Sequence, residues 1–560
     1  MRRIIGTWVA VLLSLALLAA GCGDDGGDSG TTPTDPPDDS SEGADLPEDN
    51  TGEGLEGEQL TSAGEGGDSG DLEPQYGGTL KWALNRDGTG FDTTGAVAPG
   101  SIRLINAMND SLVGVTREGE WVPNLAESLT PSDDFLTWTI TLRPGVTFHD
   151  GEPVDAAAVS ANLNAFKAGP VVGFAFKPFV EAVAADELTV EVTMSEPWAA
   201  FPFSLQGQPG WMVSPETIGN NDTFVGTGPF MLENWETGTG ATVVAYPDYW
   251  RDGFPYLDAI EFTFVPEQDV RRLAFEGEDV DGYNSPGDTD ILDFLDDDEV
   301  DVWIGDAAGN EMAYILNTSV EPFTDVRVRR ALAYAVDRQV IVDTFRSGLT
   351  IPASGPLAPD SRWYAETDYP GYDPEMAKAL IDEVEAETGP ISFEISSEAG
   401  ASFIEVTELV MDFWRDAGVD VSIKDVALGQ SAATNISGAY QAFAWIQFSS
   451  IDPDGDYTFF HSGSGPLNWS RLQNDKIDEG LDIGRTSDDP EERLRGYTLF
   501  QEGLAEDVPI VWIDHFAGIE ANVARPYVHG IEEAILPDGQ EAFAMVAGSF
   551  MGWGDIWIEQ

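Results

Sequence analysis

Residues 135–166 read FLTWTITLRPGVTFHDGEPVDAAAVSANLNAF, a run that leaves the backbone little choice. TWTITL alternates apolar and polar residues, the period of a half-buried strand. Pro144–Gly145 makes a turn, and the following residues read as a second strand ended by Gly151, whose missing Cβ permits a sharp reversal. Asp155 stands where a helix N-cap belongs, before AAAVSANLNAF. Val159, Leu163 and Phe166 are spaced four and three apart and so share one face of that helix. On an extended chain His149 and Asp150 point to opposite sides, which makes them a poor chelate and a poor acid–base pair. The expectation is a scaffold role for His149.

The same alternation of short strands and helical patterns continues down the chain, from YGGTLKWAL (Tyr76–Leu84) through LTVEVTM, and points to α/β architecture. At 560 residues the chain is too long for one core, so more than one domain is expected. Order is expected to begin at Tyr76. Between Gly23 and Gln75 there are 17 acidic residues, no Lys or Arg, and almost no apolar side chain. Such a segment is expected to be a disordered, self-repelling tether reaching roughly 40 Å. GDSG occurs twice within it, an accident of a tract rich in those three residue types.

Ahead of the tether, Arg2 and Arg3 precede an apolar run from Trp8 to Ala20, too short to span a bilayer and typical of a signal segment. It ends in LLAAGC, which resembles a bacterial lipobox and implies that Cys22, the only cysteine, becomes the lipid-modified first residue of the mature protein. No thiol would then remain for disulfides, zinc or nucleophilic catalysis. The formal net charge of −73 repels phosphate backbones and argues against nucleic-acid binding. It fits solubility, cationic solutes or a salty habitat equally.

TWTITLRPGVTFHDGEPVDAAAVSANLNAF closely resembles the most distinctive motif of family 5 of bacterial extracellular solute-binding proteins, the oligopeptide, dipeptide and nickel-complex receptors of ABC importers. GTGPFML (Gly226–Leu232), Ile315–Ile341, Tyr372–Glu383 and Asp488–Ile513 resemble further family segments in the same order. The resemblance implies a two-lobed α/β fold of the periplasmic-binding-protein type, type II in its large cluster C form, with an extra subdomain inserted in lobe I. Mapped onto this chain, 1–21 is the signal peptide and 22–75 the tether. Lobe I is 76–106 with 225–308 and 520–560, the insertion is 107–224, and lobe II is 309–519. Two segments carry their own physical reading. In DVRVRRALAYAVDR the residues Val328, Ala331, Leu332, Ala335 and Val336 form a helical stripe, with the arginines beside or opposite it among carboxylates. In YDPEMAKAL, Asp373 and Pro374 open a helix.

The resemblance also implies function: a solute captured between closing lobes and delivered to a membrane permease and its ATPase, with a lipid anchor, an extracytoplasmic location, a monomeric state, no catalytic residues, no metal and no cofactor. In peptide-binding members a Trp is followed three residues later by an Asp that pairs with the peptide amine. In FAWIQFSSIDPDGDYTFF (Phe443–Phe460) that position is Ser449 if anchored on Asp452–Pro453, and Phe448 if anchored on Trp445. Neither is an acid, and a buried ammonium without a counter-charge is costly. A free-amine peptide is therefore not the expected ligand unless Asp452 replaces the missing acid. The 16 tryptophans, Trp211, Trp303, Trp363 and Trp445 among them, can offer stacking surfaces, though most are expected to pack in the core or between lobes; Trp445 is the expected ligand contact, and Tyr283 and Asn284 are carried over as cleft residues. A sugar or other non-peptide solute, or a sensory surface lipoprotein without transport, remains open. Enzyme readings find little: no G-x-S-x-G elbow stands in the folded region, His149, His461, His515 and His529 lack metal-ligand spacing, and the calcium-like DPDGD run has Gly463 where the loop needs Glu.

Overall fold

The computed structural model describes residues 72–560 except 96, 98, 171, 287–291, 296, 298, 305–309, 399–403, 428–429, 449–451, 516–519, 532–533 and 543–551. The signal-like segment, Cys22, Ser449 and nearly all of the acidic tether lie outside the described residues.

Two large mixed sheets carry the fold. In the first, Thr79–Leu84 lies at the centre and runs parallel to both Ala259–Phe264 and Gly282–Pro286. Gly240–Ala245 and Phe230–Glu236 extend it on one side, Glu520–Ala524 and Asp301–Ile304 on the other. The second has the order Ile351–Pro352, Ile510–His515, Asn310–Leu316, Ala442–Phe448, Ser392–Glu398, Asp420–Val426. The chain passes from the first sheet to the second between Ile304 and Asn310 and returns between His515 and Glu520. The strand Asn310–Leu316 is buried along nearly its whole length, consistent with its apolar NEMAYIL sequence and its central place.

A third, four-stranded antiparallel sheet is built from Ala126–Pro131, Thr137–Leu142, Thr189–Met194 and Phe179–Ala184, with the helix Ala156–Ala168 packed on it. This body has its own core of Leu112, Trp138, Ile140, Leu163, Val192 and Trp198. The helix begins where the sequence places it: the Asp155 carboxylate accepts from the Ala158 N–H at 2.8 Å, and Val159, Leu163 and Phe166 are buried.

The segment before that helix differs from expectation. Val146–His149 forms no strand, and only Thr147 pairs, in a single bridge with Pro153. The chain reverses too soon for a strand: the Gly151 N–H bonds to Phe148 C=O at 2.8 Å, and Gly151 takes φ +86°. His149 leaves the turn sideways and clamps the GTG run. Its Nδ1 accepts from the Gly226 N–H at 3.3 Å, so Nε2 carries the proton and donates to the Gly228 carbonyl at 3.0 Å. Asp150 meanwhile accepts from the Glu152 N–H within its own turn. Gly228 needs to be glycine, because a Cβ there would sit 2.3 Å from the Asn109 nitrogen.

The arginine-rich helix also differs. It ends at Ala335, and Asp337 caps a new helix, Arg338–Phe345, through the Val340 N–H. The apolar stripe is buried as expected, and Arg327 pairs with Asp325, Glu383 and Glu387. Arg329 and Arg338, however, are buried and donate to backbone carbonyls of Phe323, Asp507 and Trp512 rather than to a surrounding shell of acids.

Burial pushes the His149 imidazole from its ordinary 6.5 down to about 4. The clamp's contribution is therefore complete above pH 6.5 and is lost as pH falls toward about 4, because the unfolded imidazole takes up its proton first. His149→Gln, which cannot titrate, will melt below the wild type at neutral pH, and the gap in thermal midpoint will narrow as pH approaches 4.

Candidate functional site

A cavity of about 380 Å³ lies where three bodies meet. Ile102 and Asn106 reach it from the helix Pro99–Met108 beside the first sheet. Phe176, Trp198, Phe203, Gln206 and Trp211 approach from the four-stranded body and its edge. Asp452, Asp454, Phe459 and Arg485 close it from the body of the second sheet. A smaller cavity of about 70 Å³ shares Asn106 and Gln206 with it. A larger open cavity of about 780 Å³, lined by Arg117, Arg143 and Arg251 against Asp252, Glu541 and Asp555, has no contribution from the second sheet's body. Enclosure by both main bodies singles out the first.

Its charges are matched from behind. After the strand Ala442–Phe448 the chain turns through Pro453–Asp456, capped by Asp452, which accepts from the Asp454 N–H at 3.0 Å. Arg493 reaches Asp452 with Nη2 at 2.6 and 2.8 Å, and Tyr497 adds its hydroxyl at 3.3 Å. Arg485 donates to Asp454 through Nε at 2.7 Å and Nη2 at 3.1 Å. Both arginines come from the helix pair Asp475–Thr486 and Pro490–Asp507. Neither acid that lines the cavity carries an unmatched charge.

Between these acids and arginines, the walls are aromatic and amide. The Gln208 amide spends both N–H groups on the carbonyls of Thr93 and Gly95, at 2.8 and 2.7 Å. Asn106 and Gln206 are different: their side-chain amides make no hydrogen bond among the described residues, so each offers a donor and an acceptor to a guest.

The residues expected from sequence are dispersed. Asp452 lines the cavity and is paired with Arg493. Trp445 is half-buried and edge-on to Trp469 at 4.9 Å, outside this cavity's lining. Tyr283 is fully buried and packs against Phe275 at 5.5 Å, outside this cavity's lining. Asn284 is likewise internal and exchanges amide hydrogen bonds with Asn85, at 2.9 and 3.0 Å. Trp303 and Trp363 are core residues, whereas Trp211 is buried yet contributes to the cavity wall. Asn106, Trp198, Gln206 and Arg485 were not legible locally; only packing of distant segments brings them together.

Beside this wall, Glu311, Gln447 and His515 stand in register across three strands, all buried. His515 Nδ1 lies 3.2 Å from Glu311. Nearby Asp456 is 1% exposed, and neither of its oxygens has a hydrogen-bond partner among the described residues. Burial, then the carboxylates of Glu311, Asp452 and Asp454, hold its carboxyl well above the usual range.

These features define a class, a type II periplasmic-binding-protein fold with a solute cavity walled by separate bodies. Residues 120–468 match the model of the bacterial extracellular solute-binding proteins, family 5, middle region. The chain belongs to that family. It is 29% identical over 427 residues to the glutathione-binding protein GsiB of Salmonella paratyphi A, spanning 72% of this chain and 81% of that one. Among solved structures it resembles AgaA from A. tumefacien R10 in complex with agropinic acid, at 26% identity and a TM-score of 0.73 over 86% of this chain and 99% of that one. It also resembles the oligopeptide-binding protein AppA of Bacillus subtilis in complex with a nonapeptide, at 20% identity and a TM-score of 0.73 over 87% and 100%.

The state of Asp456 sets a pH prediction. Its raised native pKa means that stability is full below the unfolded value of 3.8 and falls as pH rises above it. Asp456→Asn, an uncharged near-isostere, will show a higher thermal midpoint than the wild type at neutral pH, and this advantage will disappear below pH 3.8.

Proposed function

We propose that the chain captures an uncharged, amphipathic small solute, peptide-like but not presenting a free ammonium to the second sheet's body, and delivers it to an ABC permease and its ATPase. One observation carries the solute class: both acids in the described cavity wall are already paired with arginines, while the unpaired groups are amides and aromatic faces. An ammonium placed there would lose its hydration without gaining a counter-charge. Binding proceeds by closure without covalent chemistry, and the closed form is what the permease reads. The same aromatic and amide wall favours a second reading, an uncharged oligosaccharide, since rings stack on sugar faces and amides bond to hydroxyls.

Titration calorimetry with short peptides tests the class. N-acetylated, C-amidated peptides or neutral oligosaccharides will bind, and unblocked peptides of the same length will bind at least 10-fold more weakly, a difference of about 1.4 kcal/mol. Micromolar or tighter binding of unblocked peptides, with none for the capped ones, would overturn it.

The working protein is a monomer held outside the cytoplasmic membrane by a lipid on Cys22, with the acidic segment after it as spacer. The supporting signs are the apolar run to Ala20, the LLAAGC stretch and the single cysteine. Cys22→Ser will release the protein from the membrane fraction on cell fractionation, while the wild type stays with it.

A further inference from the structure

Among the described residues, a buried contact set with two unequal halves joins the four-stranded body and the body of the second sheet. Trp198 belongs to the core of the four-stranded body, 1% exposed and packed against Phe176 and Phe201 at 5.4 and 5.3 Å. Its indole N–H nevertheless leaves that core and donates to Asp454 Oδ2 at 2.8 Å. The next two backbone N–H groups, of Ala199 and Ala200, donate to the Arg485 carbonyl at 2.9 and 3.3 Å. The Arg485 guanidinium lies 5.2 Å from the centre of the Trp198 ring. Asp454 and Arg485 are 6% and 3% exposed, so the contact is dry.

From these distances we infer that Trp198, Ala199 and Ala200 form a releasable latch that sets how far the closed form is populated before any solute arrives. The asymmetry is the reason it can release. The ion pair Asp454–Arg485 lies wholly on one side and survives opening, so separation strands no buried charge. What opening breaks is one charge-assisted hydrogen bond and two backbone bonds, each of which water can replace. Trp198, Asp454 and Arg485 also line the cavity, so a guest that fills it keeps water from entering the latch and holds it shut. Apparent affinity then scales with the fraction of protein already latched. This inference does not depend on which solute is bound.

Hydrogen–deuterium exchange of the ligand-free full chain, read by mass spectrometry with fragmentation to single amides, tests it. In the wild type, Ala199 and Ala200 will exchange faster than the strand Thr189–Met194 of the same body. Trp198→Phe keeps a ring and removes the donor, and it will speed exchange at Ala199 and Ala200 on the order of 10-fold without altering the strand. Asp454→Asn weakens the acceptor from the other side and leaves the four-stranded core untouched, but it also unpairs Arg485, so exchange along the helix Asp475–Thr486 is read with it. With that helix unchanged it will have the same local effect, and it decides the matter should Trp198→Phe loosen its own body. Protection at Ala199 and Ala200 equal to the strand's would overturn the latch in favour of a permanent interface. So would unchanged exchange at the two amides in Asp454→Asn, or acceleration spread through the strand in both variants.

Discussion

The wall that carries Asp452 and Asp454 depends on Arg493 and Arg485, which stand directly behind the two carboxylates. A carboxylate removed from water costs several kcal/mol unless a cation and hydrogen bonds replace its hydration. Here each receives a guanidinium, and Asp454 receives the Trp198 indole as well. The pairs fix the turn after the strand Ala442–Phe448 against two long helices, and so position the cavity wall.

The arginines show the same logic over the whole molecule. The chain has 27 basic side chains against 100 acidic ones, yet Arg271, Arg329, Arg338, Arg346, Arg485 and Arg493 are buried. Arg271 donates to the carbonyls of Val265 and Pro266, Arg329 to those of Phe323 and Asp507, and Arg338 to that of Trp512. A planar guanidinium with five donors can satisfy several backbone carbonyls that helix ends and loops leave open. The acids Glu311, Asp452, Asp454, Asp456, Asp514 and Asp555 are buried as well, so burial takes both signs from the surface and leaves its acidic excess in place.

Local rules carried far where one segment decided its own structure. The cap at Asp155, the stripe of Val159, Leu163 and Phe166, and the start at Asp373 are all where spacing puts them, because capping and amphipathic burial act within one or two turns. The reading failed where a neighbour intervened. Val146–His149 gives up a strand because its turn closes early and His149 is drawn to Gly226 and Gly228, far along the chain. Tyr283 and Asn284 sit in a strand flanked on both sides, a placement that no pattern within GYNSP could reveal.

By itself the sequence determined the α/β class, the family and the scaffold role of His149, since periodicity and ordered motifs are properties of contiguous residues. The tertiary structure alone decided which acids are matched and which polar groups are left for a guest. Pairing depends on partners such as Arg493, separated from Asp452 by 41 positions, and the energy of a buried charge is set by what lies within a few ångströms of it rather than by what precedes it in the chain.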